Sequence, residues 1–229
     1  MHLFGPLKSH ENSKIYDVIA ASPLLVLYGW VLIRDWPTLK TEIGALVHGG
    51  LEIGPAIELL GLCLPMGFAG LLILLVLIRT LPIKKSSGIV PRAVALIGYG
   101  SGMAILILPP AALPLWLEAV SIAIVLPGMC AVIASFIWLR RSFSILPEAR
   151  RLVTGGPYAF IRHPVYLFEE ITLFGVMLQF MQPWAFLIFV LQLCFQLARI
   201  PFEERVLTDA FPQYAEYSAR TSRLIPGIY

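Results

Sequence analysis

The sequence predicts an all-α integral membrane protein, and both its composition and its long apolar runs favour this fold class. Of its 229 residues, 58% are hydrophobic and only 14% are charged, and the mean hydropathy is +0.82. Soluble domains carry about 25% charged residues, so this chain lacks the polar side chains needed to cover a globule in water. Several apolar runs reach the roughly 20 residues that an α-helix needs to cross the hydrocarbon core.

Six apolar segments are candidates for membrane helices. The predicted spans cover residues 15–33, 56–78, 93–117, 119–139, 164–181 and 184–202. Pro109, Pro110 and Pro114 are expected to mark the turn between the third and fourth spans, and Pro183 to divide the last apolar run into two short helices. The chain then crosses six times, or four times with a re-entrant hairpin, and a cytoplasmic helical segment follows at the C-terminus.

The positions of the basic residues predict the orientation. The chain has 17 Lys and Arg residues, and only Arg34 and Lys40 fall in the alternate set of loops, which leaves fifteen in the other set. Because loops rich in Lys and Arg stay in the cytoplasm, both termini are expected to be cytoplasmic. The first apolar segment has no cleavage-like site and is not expected to be a signal peptide. We expect a bacterial inner membrane protein.

The remaining composition argues against other classes of function. A net charge of +3 is too small for a nucleic-acid-binding protein. Cys63, Cys130 and Cys194 lie alone in apolar sequence, and their spacing predicts neither a disulfide framework nor a metal site. The glycines of the GxGxG pattern at 98–102 fall inside a predicted span, which favours close helix packing over a nucleotide-binding loop. Nothing in the sequence indicates an oligomeric state.

The two parts of the chain differ in where their charges lie. Residues 1–145 read as a scaffold of membrane helices, whereas residues 146–229 place ionisable groups beside or inside apolar sequence. The segment 152–170 contains two glycines, Arg162, His163 and two adjacent glutamates, and the segment 199–204 contains Arg199 and two further glutamates. Ionisable groups at membrane depth are costly and usually face a cavity or a partner. The two segments are expected to meet at the cytoplasmic mouth of the last helical pair.

Several motifs in this region occur in an order that resembles one superfamily. They are Thr154-Gly-Gly-Pro-Tyr158, Arg162-His-Pro-Val-Tyr-Leu167, Arg199-Ile, Glu203-Glu204, Phe211-Pro-Gln-Tyr214, Tyr217 and Arg223-Leu-Ile-Pro-Gly227. Together they resemble the signature of the isoprenylcysteine carboxyl methyltransferase and phospholipid methyltransferase superfamily over about residues 150–229. Two positions depart from it: Phe168 and Pro212 stand where relatives usually have glycine.

The resemblance implies an integral membrane methyltransferase that uses S-adenosylmethionine (SAM). Arg162 or His163 is expected to bind the SAM carboxylate, Glu203 or Glu204 its ribose hydroxyls or ammonium, and Tyr158, Tyr166 and Leu167 its adenine. The catalytic candidates are Arg199 and Glu203. The candidate SAM-binding residues are Gly156, Tyr158, Arg162, His163, Tyr166, Leu167, Glu203 and Glu204.

Simpler structural roles stay open for some of these residues. Arg199 and Glu203 are spaced i, i+4 and are also compatible with an interfacial ion pair at a helix end. His163, just before Pro164, is also compatible with a simple helix cap.

The expected acceptor is a membrane lipid or a prenylated small substrate, and carboxyl O-methylation of a prenylcysteine-type substrate is the leading reaction. Such a carboxylate needs no general base, since positioning and desolvation promote its attack. N-methylation of a phosphatidylethanolamine-type lipid is an alternative, and it requires a base such as Glu203 or Glu204. An NADPH-dependent enzyme resembling sterol reductases and a non-catalytic membrane protein are further alternatives.

Overall fold

The computed structural model describes residues 7–49, 53–109 and 111–229, and this part of the chain is mostly helical. Pro110, one of the three prolines expected in a turn, lies outside the described residues. The chain divides into two compact units, residues 1–81 and 82–229. The predicted division into scaffold helices (residues 1–145) and a methyltransferase core (residues 146–229) concerns function and not compactness, and it stays a prediction.

The first unit contains helices α1 (Leu7–Ala20), α2 (Ser22–Gly49) and α3 (Ile53–Ile78). The predicted span over 15–33 is not one straight helix, because α1 and α2 meet at Ala21 with a bend of 58°. Pro23 explains the break, since proline lacks an N–H donor and disfavours a helical residue before it. A buried ion pair of 2.7 Å between Arg79 Nε and Asp17 Oδ2 connects the ends of α1 and α3.

The second unit contains five helices among its described residues and a short two-stranded sheet. The helices are α4 (Val90–Ala104), α5 (Leu115–Leu139), α6 (Pro164–Met177), α7 (Pro183–Ala210) and α8 (Tyr214–Arg220). Strands β1 (Lys84–Lys85) and β2 (Glu148–Ala149) pair antiparallel. Helix α4 packs along α7, and α5 packs along α6.

The helix boundaries correct several predicted spans. The third span does not reach residue 117, because α4 ends at Ala104 and a single 3₁₀ turn leads into the proline-containing connection before α5. This connection is fixed to the turn between α6 and α7 by a hydrogen bond of 3.0 Å from the Ala111 N–H to the Gln179 carbonyl. Helix α7 begins at Pro183, as expected, but continues to Ala210 instead of ending near residue 202.

Three of the described helices are long and apolar enough to cross a membrane, and the bent pair of α1 and α2 gives a fourth. They cover Leu59–Ile78, Leu115–Ser142 and Pro183–Ala210. Helices α4 and α6 have only 15 and 14 residues, which is short for a full crossing. The protein is therefore an integral membrane protein whose described residues provide three or four spans by length and composition, and six crossings remain a prediction.

The GxGxG pattern is a helix-packing feature, as its position in an apolar run predicted. A Cβ atom added at Gly98 would lie 3.1 Å from Phe195 Cβ, and one at Gly102 would lie 3.5 Å from Gln192 Cδ. Ser101 lies between these glycines and donates a hydrogen bond of 2.7 Å to Gln192 Oε1. The Cβ contact would be tight at 98 and ordinary at 102, so it is the absence of a side chain at Gly98 that lets α4 approach α7, which carries several of the candidate site residues.

Candidate functional site

The Gly-Gly-Pro-Tyr motif forms a tight turn against a tryptophan. Gly156 has φ +60°, and a Cβ atom there would lie 2.4 Å from ring carbons of Trp138. This backbone conformation disfavours residues with a side chain, and the aromatic ring leaves no room for one. Trp138, near the end of α5, therefore fixes the approach to α6, a contact between distant residues that no local pattern revealed.

The backbone of the Arg162-His163 motif is held by residues 214–229, which we call the C-terminal segment. The Arg162 N–H donates to the Ser222 carbonyl at 2.8 Å, and the His163 N–H donates to the Arg223 carbonyl at 3.0 Å. Pro164 then occupies the start of α6, where a missing N–H has no cost. His163 is the residue at the helix cap, but its side chain makes no capping hydrogen bond. Its ring is therefore placed for another purpose than capping.

The first of two polar clusters, which we call the Glu204 cluster, consists of Arg162, His163, Glu204 and Arg223. Arg162 Nε lies 2.6 Å from Glu204 Oε1, and Arg223 Nε lies 3.0 Å from Glu204 Oε2. His163 Nε2 lies 3.5 Å from Glu204 Oε1, and this buried nitrogen makes no hydrogen bond with the described residues. The carboxylate thus joins α7 to the start of α6 and to the C-terminal segment.

Arg162 strengthens this junction through the backbone of the C-terminal segment. Its Nη1 donates to the carbonyl of Ser218 at 2.8 Å and also to the carbonyl of Thr221. The Tyr217 hydroxyl, from α8, donates to the Tyr158 carbonyl at 2.7 Å. Burial raises the pKa of Tyr217 to about 12, so its phenol remains a donor over the physiological pH range. The C-terminal segment is therefore part of the site's framework.

The second cluster, which we call the Arg199 cluster, consists of Tyr166, Glu169, Gln196, Arg199 and Glu203. Buried Arg199 donates through Nη2 to Glu203 Oε1 at 3.3 Å and to the Ile145 carbonyl at 3.0 Å, and through Nη1 to Gln196 Oε1 at 3.1 Å. Its guanidinium lies 4.8 Å from the centre of the Tyr166 ring. The Tyr166 hydroxyl donates to Glu203 Oε1, which joins α6 to α7.

The two clusters are in contact and differ in formal charge. The rings of His163 and Tyr166 stack with their centroids 5.2 Å apart. Glu203 and Glu204 are consecutive on α7, so their side chains diverge by about 100° and reach different clusters. With all carboxyls ionised and His163 neutral, two arginines face one glutamate in the Glu204 cluster, whereas one arginine faces two glutamates in the Arg199 cluster.

Some buried polar atoms have no hydrogen-bond partner among the described residues. Arg199 Nε and His163 Nε2 lie within the two clusters, whereas Tyr214 Oη and both carboxylate oxygens of Glu170 lie outside them. A buried polar group without a partner is costly. The clusters therefore retain polar atoms that a bound molecule would satisfy.

The structure brings most of the predicted site residues together. Arg162, His163 and Glu204 share one cluster, and Tyr166, Arg199 and Glu203 share the other. Gly156 lies in the turn against Trp138, and Tyr158 is tied to the framework through its carbonyl. Leu167 is half-buried in the first turn of α6 and takes part in neither set of polar contacts.

Sequence reasoning did not assign three features of the site: Gln196, Trp138 and the Ile145 carbonyl. For Gln196 a signal existed, because Gln192, Gln196, Arg199 and Glu203 recur at helical spacing within an apolar helix. The two departures from the superfamily pattern lie apart from each other. Phe168 is half-buried on α6, and Pro212 is exposed in the connection between α7 and α8.

The fold and the two clusters of charged side chains define an integral membrane protein with ionisable groups between its helices. Comparison with known proteins narrows the class of membrane protein further. The model of the phospholipid methyltransferase family matches residues 111–214. This match contains α5, α6 and α7 and ends at the start of α8. It confirms the resemblance to the superfamily of membrane methyltransferases that the motifs indicated.

Two curated relatives share part of the sequence. The cobalt-zinc-cadmium resistance protein CzcN of Cupriavidus metallidurans is 40% identical over 80 residues, which are 34% of this chain and 36% of that protein. The nickel-cobalt-cadmium resistance protein NccN of Alcaligenes xylosoxydans xylosoxydans is 29% identical over 116 residues, 49% of this chain and 53% of that protein. The chain thus spans about a third to a half of the length of these relatives.

A solved structure is similar over most of its length. The eukaryotic intramembrane Ras methyltransferase ICMT (isoprenylcysteine carboxyl methyltransferase) superposes with a TM-score of 0.46 at 16% identity, covering 97% of this chain and 96% of that one.

Proposed function

We propose that this protein is a SAM-dependent methyltransferase of the membrane that acts on a lipid-like acceptor. The observation that carries the proposal is the pair of adjoining clusters with opposite formal charge, within the segment that matches the phospholipid methyltransferase family. A zwitterionic molecule placed across them would meet an excess of cations on one side and an excess of carboxylates on the other.

The residues present fit SAM. Its carboxylate suits the Glu204 cluster, where Arg162 and Arg223 outnumber one glutamate and where His163 Nε2 makes no hydrogen bond with the described residues. Its sulfonium and ammonium suit the Arg199 cluster, where carboxylates are in excess. When bound, SAM supplies an electrophilic methyl group on sulfur.

The residues that bind each part of SAM follow from these contacts. Arg162 or His163 takes the carboxylate through charge-assisted hydrogen bonds. Glu203 is better placed than Glu204 for the cationic part, because Glu204 already accepts hydrogen bonds from two arginines. Tyr158, Tyr166 and Leu167 offer aromatic and apolar surface to the adenine, and Gly156 shapes the turn beside it.

For the acceptor, we propose carboxyl O-methylation of a prenylcysteine-type substrate. Arg199 would hold the acceptor carboxylate near the sulfonium, and its unpartnered Nε provides a donor for this purpose. Exclusion of water by the surrounding helices would desolvate the nucleophile, and no general base is required.

One observation favours a second candidate, N-methylation of an amine-bearing lipid such as phosphatidylethanolamine. Both oxygens of the Glu170 carboxylate are buried without a hydrogen-bond partner among the described residues. A buried carboxylate without a partner would attract an ammonium head group. It would repel the carboxylate of a prenylcysteine-type acceptor. In this reaction Glu203 would accept the proton that the amine loses.

Calorimetric titration of detergent-purified protein with SAM, S-adenosylhomocysteine and NADPH tests the cofactor. We expect saturable binding of the first two compounds and none of NADPH. Arg162→Gln should weaken SAM binding by about tenfold or more, because a hydrogen bond to a charged group contributes about 1.5–3 kcal/mol. Arg220→Gln is a matched control, since Arg220 also pairs with a glutamate but is exposed. Binding of NADPH alone would favour the reductase alternative.

A methyl-transfer assay with tritiated SAM tests the acceptor. A farnesylated cysteine derivative, phosphatidylethanolamine vesicles and a short water-soluble carboxylic acid are compared at equal concentration. Preference for the farnesylated compound supports O-methylation, and preference for the vesicles supports the amine alternative. Equal turnover of the water-soluble acid would contradict a lipid-like acceptor without contradicting methyl transfer.

We also propose that both termini face the cytoplasm of a bacterial inner membrane and that residues 146–229 form the methyltransferase core on the scaffold of residues 1–145. Single cysteines at the exposed positions Ala45 and Ser87, in a protein whose three native cysteines are replaced by serine, report the topology. An impermeant thiol reagent added to intact cells should label position 45 and not position 87. Labelling at 87 from outside would reverse the orientation.

A further inference from the structure

Polar side chains recur along one side of α7, which is otherwise an apolar helix. Gln192, Gln196, Arg199 and Glu203 follow one another at intervals of three or four residues, so they lie on one face. Gln196 is only 1% exposed and is the most deeply buried member of this series. Burial of an uncharged amide this deep costs free energy unless each of its polar atoms makes a hydrogen bond.

Gln196 lies between two opposite charges. Its Nε2 donates a hydrogen bond of 2.8 Å to Glu169 Oε2 on α6, and its Oε1 accepts one of 3.1 Å from Arg199 Nη1. The opposite orientation of the amide would direct its NH₂ group at a guanidinium and its oxygen at a carboxylate, so only one orientation satisfies both partners. The amide is therefore locked by a cation on one side and an anion on the other.

This arrangement prevents a direct ion pair between Arg199 and Glu169. A direct pair in a buried site would favour a bidentate geometry and use the donors of the arginine on one carboxylate. With the amide between them, Arg199 Nε makes no hydrogen bond with the residues that the structure describes, and Glu169 uses only Oε2 for the bond to Gln196.

We propose that Gln196 is a positioning residue, which holds Arg199 and Glu169 apart and orients both toward the bound reactants. This inference rests on the proposed methyltransferase function and adds a residue that none of the superfamily motifs contains. Gln196 does not contact the reacting atoms in this scheme. It determines the positions of the Arg199 guanidinium, which binds the acceptor, and of the Glu169 carboxylate, the second carboxylate of the Arg199 cluster.

Gln192 offers a matched control. It is the same residue type on the same face of α7, is 7% exposed, and accepts a hydrogen bond of 2.7 Å from Ser101. Its contacts belong to the packing of α4 on α7 and not to the Arg199 cluster. A substitution that affects only helix packing should therefore have similar consequences at both positions.

The experiment compares Gln196→Met with Gln192→Met in the full-length protein purified in detergent. Thermal unfolding without ligand, calorimetric titration with SAM, and kcat and KM for the acceptor that the unaltered protein methylates are measured for each. We expect kcat to fall tenfold or more in Gln196→Met, whereas Gln192→Met retains kcat within about twofold. We expect the two variants to have unfolding temperatures shifted by similar amounts, because Arg199 and Glu169 can pair directly once the amide is removed.

If Gln196→Met does not accumulate in the membrane, a second variant tests the proposal in its place. Gln196→Glu preserves an oxygen for Arg199 but loses the donation to Glu169 and places two carboxylates together, so it should lower kcat at least as much. Equal kcat values in the variants at 196 and 192, with SAM binding intact, would overturn the positioning role alone. Absence of SAM binding by the unaltered protein would overturn the proposed function as well, and the two failures are therefore distinguishable.

Discussion

Glu203 and Glu204 are neighbours in the sequence, yet they belong to clusters that differ in partners and in surroundings. Glu204 is held by two arginines and connects α7 to the start of α6 and to the C-terminal segment, and one of these arginines, Arg223, has a side chain that is 37% exposed. Glu203 accepts hydrogen bonds from Arg199 and Tyr166 between two packed helices. One helical step thus separates a junction between segments from a site within the bundle.

The loss of one charged side chain should therefore have different effects on stability in the Glu204 cluster and in the Arg199 cluster. In the Glu204 cluster, the backbone carbonyls of Ser218 and Thr221 also accept hydrogen bonds from Arg162, so the removal of one partner leaves others. In the Arg199 cluster, one buried guanidinium faces two glutamates, so the loss of that guanidinium leaves both without their cation. We therefore expect the largest mutational effects in the Arg199 cluster and the smallest at the exposed edge of the Glu204 cluster.

Arg199→Leu should have the largest effect. It leaves Glu169 and Glu203 without their buried cation, and breaking a buried ion pair from one side costs about 3–5 kcal/mol. Thermal unfolding in detergent measures the loss. Arg220→Leu, which removes an arginine from an exposed pair, is the control, and equal shifts in the two variants would contradict the assignment.

Glu204→Gln should have the next largest effect, about 2–3 kcal/mol, because two arginines lose the charged acceptor that they share. The C-terminal segment depends on this acceptor, so limited proteolysis should cleave within residues 218–229 before the rest of the variant is digested. Glu216→Gln, in the exposed pair on α8, should keep the resistance of the unaltered protein. Unchanged cleavage in Glu204→Gln would show that the backbone hydrogen bonds suffice to hold the segment.

Tyr166→Phe separates the roles of the ring and the hydroxyl within the Arg199 cluster. The variant retains the stack on His163 and the contact with Arg199 but loses the hydrogen bond to Glu203. We expect a loss of about 1.5–2 kcal/mol in unfolding free energy, as for a hydrogen bond to a charged group. Tyr16→Phe, at an exposed position, should be neutral, and a neutral Tyr166→Phe would limit the role of Tyr166 to its ring.

Arg223→Gln should have the smallest effect, below about 1 kcal/mol, because its side chain is 37% exposed and Glu204 retains Arg162. Chemical unfolding in a series of salt concentrations checks this value, since an exposed ion pair weakens as salt increases. A loss comparable to that of Glu204→Gln would mean that Arg223, and not Arg162, anchors the C-terminal segment.

Much of the fold could be predicted from local signals. Pro164 and Pro183 mark the starts of α6 and α7 because proline fits the first turn of a helix and disfavours a helical residue before it. The end of α7 could not be predicted in the same way. Its last two turns carry charged residues, which predict the end of an apolar span, whereas the helix itself continues to Ala210.

In the candidate site, too, some residues could be predicted from local sequence signals and others could not. The ionisable residues at 162, 199, 203 and 204 stand out in apolar sequence, so the sequence alone marks them as candidates. Gln196 is neutral and Trp138 is apolar, so neither gave a comparable signal, and their roles depend on contacts between residues far apart in the chain. The assignment of Glu203 and Glu204 to different clusters followed from the helical step but also required the positions of α6 and the C-terminal segment.

The short length of α6 has a consequence for the surrounding lipid. Its 14 residues measure about 21 Å along the axis, whereas the hydrocarbon core of a bilayer is about 30 Å thick. Such hydrophobic mismatch is relieved when the bilayer thins around the helix or when flanking residues extend to the interface. Lipid head groups beside α6 would then lie nearer the midplane than those elsewhere, which shortens the distance an acceptor head group must travel to reach Tyr166 and Arg199.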